Sequence, residues 1–231
     1  MTSTREPEYP QHRFQPPPGA TELLLVRHGA SQPARADRPF PLCDGHGDPA
    51  LAPEGERQAE LVCARLAAVG FDAVYVTTLR RTAQTAAPLL RARGIEATVE
   101  PGLREVGLGE WEGGLFRIKV VENGELAQRM WREERYDVIP GAEPAAAFAD
   151  RVRAAVTRLA AAHPDQRVVV FTHGGVIGQI LAEATGSRGF AFAAADNTSI
   201  SHLVVADGRW IVRGFNDTAH LDPALRLAPV G

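Results

Sequence analysis

The chain has little cysteine and no long apolar run. Its 231 residues include two cysteines, Cys43 and Cys63, which make no disulfide scaffold and show no Cys-x-x-Cys spacing for a metal. No apolar segment approaches the roughly 20 residues that span a bilayer, and no basic-then-apolar signal pattern opens the sequence. These absences predict a protein of the reducing cytoplasm that has no membrane partner.

A strong net charge is also missing. With a formal net charge of -3 and a pI near 6.2, the chain has no global field to attract nucleic acid or an anionic membrane surface. We therefore expect no nucleic-acid partner, and any anionic ligand must be gathered by a local cluster. Lys119 is the only lysine, so arginine supplies nearly every cation, which genome composition explains as readily as a need for bidentate anion binding.

The sequence divides into a short arm and one larger unit. Residues 1–20 are polar and end in Pro-Pro-Pro-Gly, which predicts a flexible N-terminal arm. Residues 21–231 are long enough to form a single domain with a sizeable core. Apolar runs and helical periodicity alternate along this unit, and a glycine-rich loop lies at 105–114. The predicted strands are 23–26, 73–76, 97–99 and 167–172, the predicted helices are 53–69, 80–93, 114–136, 144–163 and 176–185, and a hairpin joins 200–206 to 210–215.

This alternation predicts an α/β fold. We expect a three-layer α/β/α sandwich, in which a mostly parallel sheet has helices on both faces. Ligands of such sheets lie outside the carboxyl ends of the strands, where the strand order reverses. Two histidines stand at such ends, in Arg27-His28-Gly29 and in His173-Gly174-Gly175. If their strands are neighbours, the two imidazoles converge.

Converging histidines and arginines suit chemistry on a phosphate. A neutral His28 could attack phosphorus, while Arg27 and a second arginine would disfavour the imidazolium and hold the phosphate oxygens. His173, at the entrance to a helix, would add a donor to the same anion. Taken alone, His28 is more often a structural histidine at a strand end, so the hypothesis depends on partners elsewhere in the chain.

Further segments supply such partners. Arg80 and Arg81 open a predicted helix within Leu79-x-Arg81-x-x-Gln84-Thr85, and Glu105 precedes Gly109-x-Trp111-Glu112-Gly113. Upstream lies Leu51-Ala-Pro-Glu-Gly-Glu-Arg-Gln-Ala59. Together with the two histidine motifs, and in this order from about residue 21 to 215, these segments resemble the histidine phosphatase superfamily, also called the phosphoglycerate mutase-like family.

The resemblance implies a phosphoglycerate mutase-like fold and a role for each matching residue. His28 becomes phosphorylated, and the phosphoryl oxygens are bound by Arg27, Arg81 and His173, with Gly174 and Ser31 as further candidates. Glu105 is the general acid that protonates the leaving oxygen and then the base that activates water. The expected partner is a small phosphorylated substrate. No cofactor and no metal are expected, because arginines take the place of a metal.

One departure from the family pattern bears on the reaction. Mutase members continue after Arg-His-Gly with glutamate, tryptophan and asparagine, whereas this chain has Ala30-Ser31-Gln32-Pro33. The difference favours the phosphatase branch, a metal-independent phosphomonoesterase in which water accepts the phosphoryl group. Phosphoglycerate mutase-type transfer is the alternative, and a phospho-ligand binding module without turnover is a third reading. Substrate identity and oligomeric state stay open, a homodimer being among the states allowed.

Other polar clusters allow more than one interpretation. Cys43, Asp44, His46 and Asp48 crowd one loop, but their spacing fits no common zinc pattern, and a contact with substrate is the alternative. Trp111 is expected to pack and shape its loop. The segment 114–136, by the same resemblance, covers the site and sets substrate choice, although its arginines and aromatics would also suit an ordinary helix surface.

Overall fold

The centre of the molecule is a six-stranded sheet, seen in a computed structural model that describes residues 9–222. The sheet order is β5-β4-β6-β1-β7-β8, parallel from β5 to β1 and antiparallel at β7 and β8, which confirms the predicted mostly parallel sheet. A separate hairpin is formed by β2 and β3. The strands are β1 (Thr21–Arg27), β2 (Leu42–Cys43), β3 (His46–Gly47), β4 (Ala73–Val76), β5 (Thr98–Val99), β6 (Arg167–Thr172), β7 (Ile200–Ala206) and β8 (Arg209–Asp217).

Helices cover both faces of the sheet. Within the described residues the α-helices are α1 (Pro53–Ala67), α2 (Arg80–Arg93), α3 (Leu115–Glu122), α4 (Glu125–Glu133), α5 (Ala145–Ala162) and α6 (Gly174–Thr185). Short 3-10 turns lie at Pro101–Leu103, Gly109–Trp111 and Tyr136–Val138. One buried cluster joins the sheet to α5 and α6, and a second joins its other face to α1 and α2. The predicted three-layer α/β/α sandwich is confirmed.

The strand β1 shows why this layering follows from the sequence. Leu23 and Leu25 pack toward α5 and α6, whereas Leu24 and Val26 pack toward α1 and α2. Successive side chains of a strand point to opposite faces, so an uninterrupted apolar run requires a cover on each side. In the structure β1 has this cover and lies between β6 and β7.

The strand pairing brings the two histidine motifs together. β1 and β6 are parallel neighbours, and Arg27 is paired with Thr172. His28 and His173 each follow the last residue of their strand, so they leave the sheet side by side at one edge. β4 lies on the other side of β6 and delivers the start of α2 to the same edge.

Several predicted boundaries are wrong. The helix predicted over 114–136 is two helices, because Asn123 adopts a left-handed conformation (φ 50°) and its amide caps the end of α3. α1 ends at Ala67 instead of residue 69. α6 begins at Gly174, two residues before the predicted start, since His173 is its extended N-cap. The hairpin β2–β3 was not predicted, although its turn, Asp44-Gly45, has both residues at positive φ.

The ends of the chain bear on the predicted division at residue 20. Residues 9–20 form no helix or strand, and the guanidinium of Arg213 lies 4.0 Å from the ring centre of Phe14. Residues 1–8 of the predicted arm and residues 223–231 of the predicted domain lie outside the described residues. Between residues 9 and 222, no helix is long and apolar enough to cross a membrane.

Candidate active site

A cavity of about 230 Å³ opens at the carboxyl edge of the sheet. Its charged and polar lining residues are Arg27, His28, His46, Arg81, Glu105, Glu112 and Arg117. Its wall is largely aromatic and apolar, with Phe40, Pro49, Leu108, Trp111, Phe116 and Tyr136. The arrangement suits a ligand with a small anionic head and a less polar body.

The imidazole of His28 is held in one tautomer. Nδ1 lies 2.8 Å from the carbonyl oxygen of Gly29, and since a carbonyl only accepts, Nδ1 carries the proton. Nε2 is therefore the atom with the free lone pair, and His28 lines the cavity. Burial, followed by the positive charges of Arg81 and Arg27, holds the pKa of His28 well below its usual range. The ring is thus neutral at physiological pH and available as a nucleophile.

His173 is wholly buried behind His28. The two rings meet edge to face with their centres 5.3 Å apart. Nε2 of His173 lies 2.9 Å from the hydroxyl oxygen of Thr77, while Nδ1 is buried and has no hydrogen-bond partner among residues 9–222. Burial and the charge of Arg81 also hold the pKa of His173 well below its usual range. When the Thr77 hydroxyl donates to Nε2, the ring proton stays on Nδ1, the form that can donate to an anion.

Two arginines flank the histidines. Arg27 donates from Nη1 to the carbonyl of Ala195, and its buried Nε has no partner in the described part of the chain. Arg81, in the first turn of α2, donates from Nη1 to the Gly47 carbonyl oxygen at 2.9 Å. Burial lowers the pKa of Arg81 to about 10, so its guanidinium remains charged at neutral pH. The neighbouring Arg80 instead turns outward and pairs with Asp48, Nε to Oδ2, at 2.9 Å.

Glu105 reaches the cavity from an irregular segment. Its Oε1 accepts from the amide of Val106 at 3.0 Å, and its Oε2 accepts from the amide of Gly175 at 3.3 Å. Gly175 lies in the first turn of α6, where backbone amides have no partner within the helix and can donate to the Glu105 oxygen. A Cβ on Gly175 would lie 2.5 Å from Glu105 Oε1, so this position needs glycine if the carboxyl group is to stay in place.

Other motif residues hold the loop that carries His28. The amide of Gly29 donates to Thr85 Oγ1 at 2.9 Å, and the following amide donates to Gln58 Oε1 at 2.9 Å. A Cβ on Gly29 would lie 2.6 Å from the carbonyl oxygen of Gly55, so α1 and the loop meet backbone to backbone. These motif positions therefore serve the geometry of the loop.

Three of the predicted phosphate-binding residues, His173, Gly174 and Ser31, do not line the cavity. Gly174 packs against the Arg27 side chain, and a Cβ there would lie 3.4 Å from Arg27 Nε. The hydroxyl of Ser31 accepts from Nη2 of Arg117 at 2.6 Å, so it faces another protein group. Arg117 itself lines the cavity and lies over the ring of Phe40, 5.6 Å from its centre. Arg117 belongs to the predicted segment 114–136, whose sequence fits a helix surface as well as a cover over the site.

The loop at 43–48 borders the same cavity. His46 and Gly47 line it through the hairpin β2–β3, while Asp48 is turned away to Arg80. Trp111 is 7% exposed, so it packs as predicted, and it also forms part of the cavity wall. No group of three or more histidine, cysteine or acidic residues that could hold a metal ion occurs between residues 9 and 222.

Residues that the motifs did not single out also shape the site. Thr77 contacts His173, and Arg151 of α5 donates to the backbone carbonyls around Glu105. Neither carried a signal in the sequence, because both act through contacts made across the fold. Glu112 belongs to the Gly109-x-Trp111-Glu112-Gly113 motif, and its carboxylate accepts from the amides of Leu108 (2.8 Å) and Gly47 (2.7 Å), which connects two loops.

Comparison with known proteins agrees with this geometry. The sequence model of the histidine phosphatase superfamily (branch 1) matches residues 23–218. Phosphoserine phosphatase 1 of Hydrogenobacter thermophilus is 30% identical over 204 residues, covering 87% of this chain and 94% of that protein. Phosphoglycerate mutase-like protein 4 of Arabidopsis thaliana is 32% identical over 206 residues, covering 87% of each chain. The chain therefore belongs to the histidine phosphatase superfamily and is an enzyme of that superfamily.

A solved structure supports the fold assignment. The phosphoglycerate mutase of Bacillus anthracis matches with a TM-score of 0.74 at 20% identity, covering 88% of this chain and 96% of that one. At this identity the match bears on the fold alone, and it confirms the phosphoglycerate mutase-like architecture predicted from the motifs.

Proposed function

We propose that the enzyme is a metal-independent phosphatase that hydrolyses a small phosphomonoester through a phosphohistidine intermediate on His28. The observation that carries this proposal is the tautomer of His28. A proton fixed on Nδ1 by the Gly29 carbonyl, at 2.8 Å, and a lowered pKa together leave a lone pair on Nε2 beside two guanidinium groups. A neutral nucleophile next to fixed positive charge is what attack on a phosphate ester requires.

The reaction has two displacements at phosphorus. First, the lone pair of His28 Nε2 forms a bond to phosphorus, the bond to the ester oxygen breaks, and that oxygen takes a proton from Glu105. Then water attacks the phosphohistidine, Glu105 takes a proton from the water, and the electron pair of the P–N bond returns to Nε2. Arg27, Arg81 and His173 stabilise the charge on the phosphoryl oxygens in both steps.

The size and lining of the cavity favour a small substrate with a weakly polar body. Its volume is about 230 Å³, and aromatic side chains form much of its wall. Phosphoglycerate mutase-type transfer is the alternative reaction. It is retained because one relative, phosphoglycerate mutase-like protein 4, is 32% identical to this chain. The segment Ala30 to Pro33, which lacks the glutamate, tryptophan and asparagine of mutases, favours transfer to water.

The test is hydrolysis of an aryl phosphate in the presence of a chelator. We expect turnover by the native enzyme, an acid-labile phosphoenzyme on rapid quenching, and loss of both in His28→Ala. Full activity in that variant would refute the proposal. Phosphate that moves between positions of phosphoglycerate, and not to water, would establish the mutase instead. Tight binding of a phosphate ester without turnover would indicate a binding module.

A further inference from the structure

The segment that carries Glu105 has no regular secondary structure to fix it. It comprises residues 102–107, which begin within the 3-10 turn at Pro101–Leu103, end before the turn at Gly109–Trp111 and belong to no strand. Three of its backbone carbonyl oxygens, at Gly102, Arg104 and Glu105, accept hydrogen bonds from one side chain, Arg151. An acid that must meet a leaving oxygen within a few tenths of an ångström needs such external support.

Arg151 engages this segment with its whole guanidinium group. Nη1 donates to Gly102 O at 2.9 Å and to Arg104 O at 2.7 Å, and Nη2 donates to Glu105 O at 2.9 Å. Nε and Nη2 also donate to the carboxylate of Glu143, at 2.6 and 2.8 Å. All five N–H donors of the guanidinium group are thus used. The ring of Phe148 packs against this group, with its centre 4.8 Å from the guanidinium carbon.

Glu143 connects Arg151 to the far end of the segment at Gly107. Its Oε2 accepts from the amide of Gly107 at 3.2 Å, and its own amide donates to the carbonyl of Gly107 at 2.9 Å. The side chains of Glu143 and Arg151 are 19% and 23% exposed, so the ion pair is largely shielded from water. Burial opposes ionisation of Glu143, but the hydrogen bonds from Arg151 and Gly107 outweigh it and lower the pKa of Glu143.

We propose that Arg151 and Glu143 are positioning residues for the general acid and base, and that they hold residues 102–107 so that the Glu105 carboxyl group meets the leaving oxygen. This role presupposes that Glu105 is the acid and base, as proposed above. Arg151 does not line the cavity, and it contacts Glu105 through the backbone carbonyl of that residue. Lysine at this position keeps the charge but offers no planar fork to span three carbonyls and a carboxylate.

Two esters with different leaving groups distinguish a displaced general acid from a general loss of activity. The ratio kcat/KM reports the steps up to formation of the phosphoenzyme and release of the alcohol. An alkyl phosphate needs a proton on its leaving oxygen, whereas 2,4-dinitrophenyl phosphate has a leaving group that hardly needs one. A variant with a displaced acid therefore loses kcat/KM for the alkyl ester and keeps it for the dinitrophenyl ester. Because unfolded protein lowers both values alike, their ratio does not depend on the folded fraction.

The experiment compares Arg151→Lys and Glu143→Gln with the native enzyme on both esters. We expect the ratio of kcat/KM, alkyl to dinitrophenyl, to fall at least tenfold in Arg151→Lys and severalfold in Glu143→Gln. Arg153→Lys is the matched control, because Arg153 lies on the same helix and pairs with Asp150 and Glu183 but does not contact the segment. Its ratio should stay native.

Glu105→Gln, measured in parallel, separates this proposal from the one on which it rests. If Glu105→Gln lowers the ratio and Arg151→Lys and Glu143→Gln lower both substrates equally, Arg151 and Glu143 are merely structural and the positioning role is overturned. If Glu105→Gln leaves the ratio unchanged, the assignment of Glu105 fails and the positioning role fails with it. A lowered ratio in all three variants, with a native ratio in Arg153→Lys, supports both proposals.

Discussion

The imidazole rings of His28 and His173 meet edge to face, 5.3 Å apart, although 144 residues separate them in the sequence. Parallel pairing of β1 with β6 produces this meeting, since each histidine follows the last residue of its strand. Each ring has one nitrogen engaged, at Gly29 and at Thr77 respectively. The nitrogens that remain are the ones we assign to a phosphoryl group.

The first prediction concerns two adjacent arginines. Arg81→Lys should lower kcat/KM for any phosphate ester by about 10 to 100-fold, because lysine keeps the charge but loses the bidentate fork, a change of about 1.4 to 2.8 kcal/mol in transition-state stabilisation. Arg80→Lys is the control, since Arg80 faces Asp48 and not the cavity. Steady-state kinetics on an aryl phosphate measures both. Equal losses in the two variants would contradict the assignment of Arg81.

The second prediction concerns Thr77. Thr77→Val removes the hydroxyl that contacts Nε2 of His173 while keeping the shape of the side chain. We expect kcat/KM to fall about tenfold, or about 1.4 kcal/mol, for alkyl and aryl esters alike, because His173 acts on the phosphoryl oxygens and not on the leaving group. Thr77→Ser, which keeps the hydroxyl, should restore most of the activity. Native kinetics in Thr77→Val would show that the tautomer of His173 does not matter.

The third prediction concerns Gly175. Gly175→Ala places a methyl group 2.5 Å from Glu105 Oε1, so the carboxyl group must move. We expect a loss of kcat/KM that is larger for alkyl than for aryl phosphates. Gly70→Ala adds the same methyl group where no atom lies within 4 Å and is the control. The idea fails if Gly175→Ala slows both esters to the same extent.

The fourth prediction concerns stability and pH. The folded state keeps His28 and His173 neutral because their pKa values are lowered, whereas in the unfolded chain both take up protons near pH 6.5. Stability is therefore lost as the pH falls below about 6.5, and each histidine adds a slope approaching about 1.4 kcal/mol per pH unit until its folded pKa is reached. Urea unfolding at several pH values gives the slope of the unfolding free energy against pH. In His28→Gln this slope should be smaller than in the native protein by up to about 1.4 kcal/mol per pH unit, which corresponds to one proton.

The control for the pH experiment is the exposed His12. His12→Gln removes an imidazole without changing the buried pair, so its slope should match that of the native protein. Equal flattening in both variants would mean that the buried histidines do not cause the dependence.

The fold could be predicted in type and order but not at every boundary. The apolar run at 23–26 predicted a strand, and the alternation of elements predicted the sandwich. The break between α3 and α4 was missed because Asn123-Gly124 lies inside an otherwise helical pattern, where a left-handed residue ends the helix. The early start of α6 was missed because two glycines disfavour a helix, yet their small size lets Arg27 and Glu105 approach its first turn.

The sequence by itself determined the family and the candidate groups of the site. The ordered motifs single out Arg27, His28, Arg81, Glu105 and His173 as the candidate site residues, because each motif joins a polar side chain to a turn or glycine. Only the tertiary structure decided how they are held. Several of the contacts join residues far apart in the sequence. Thr77 contacts His173, Ser31 accepts from Arg117, and Arg151 donates to three backbone carbonyls. Such contacts leave no local pattern, since they depend on which strands pair and which helix lies over which loop.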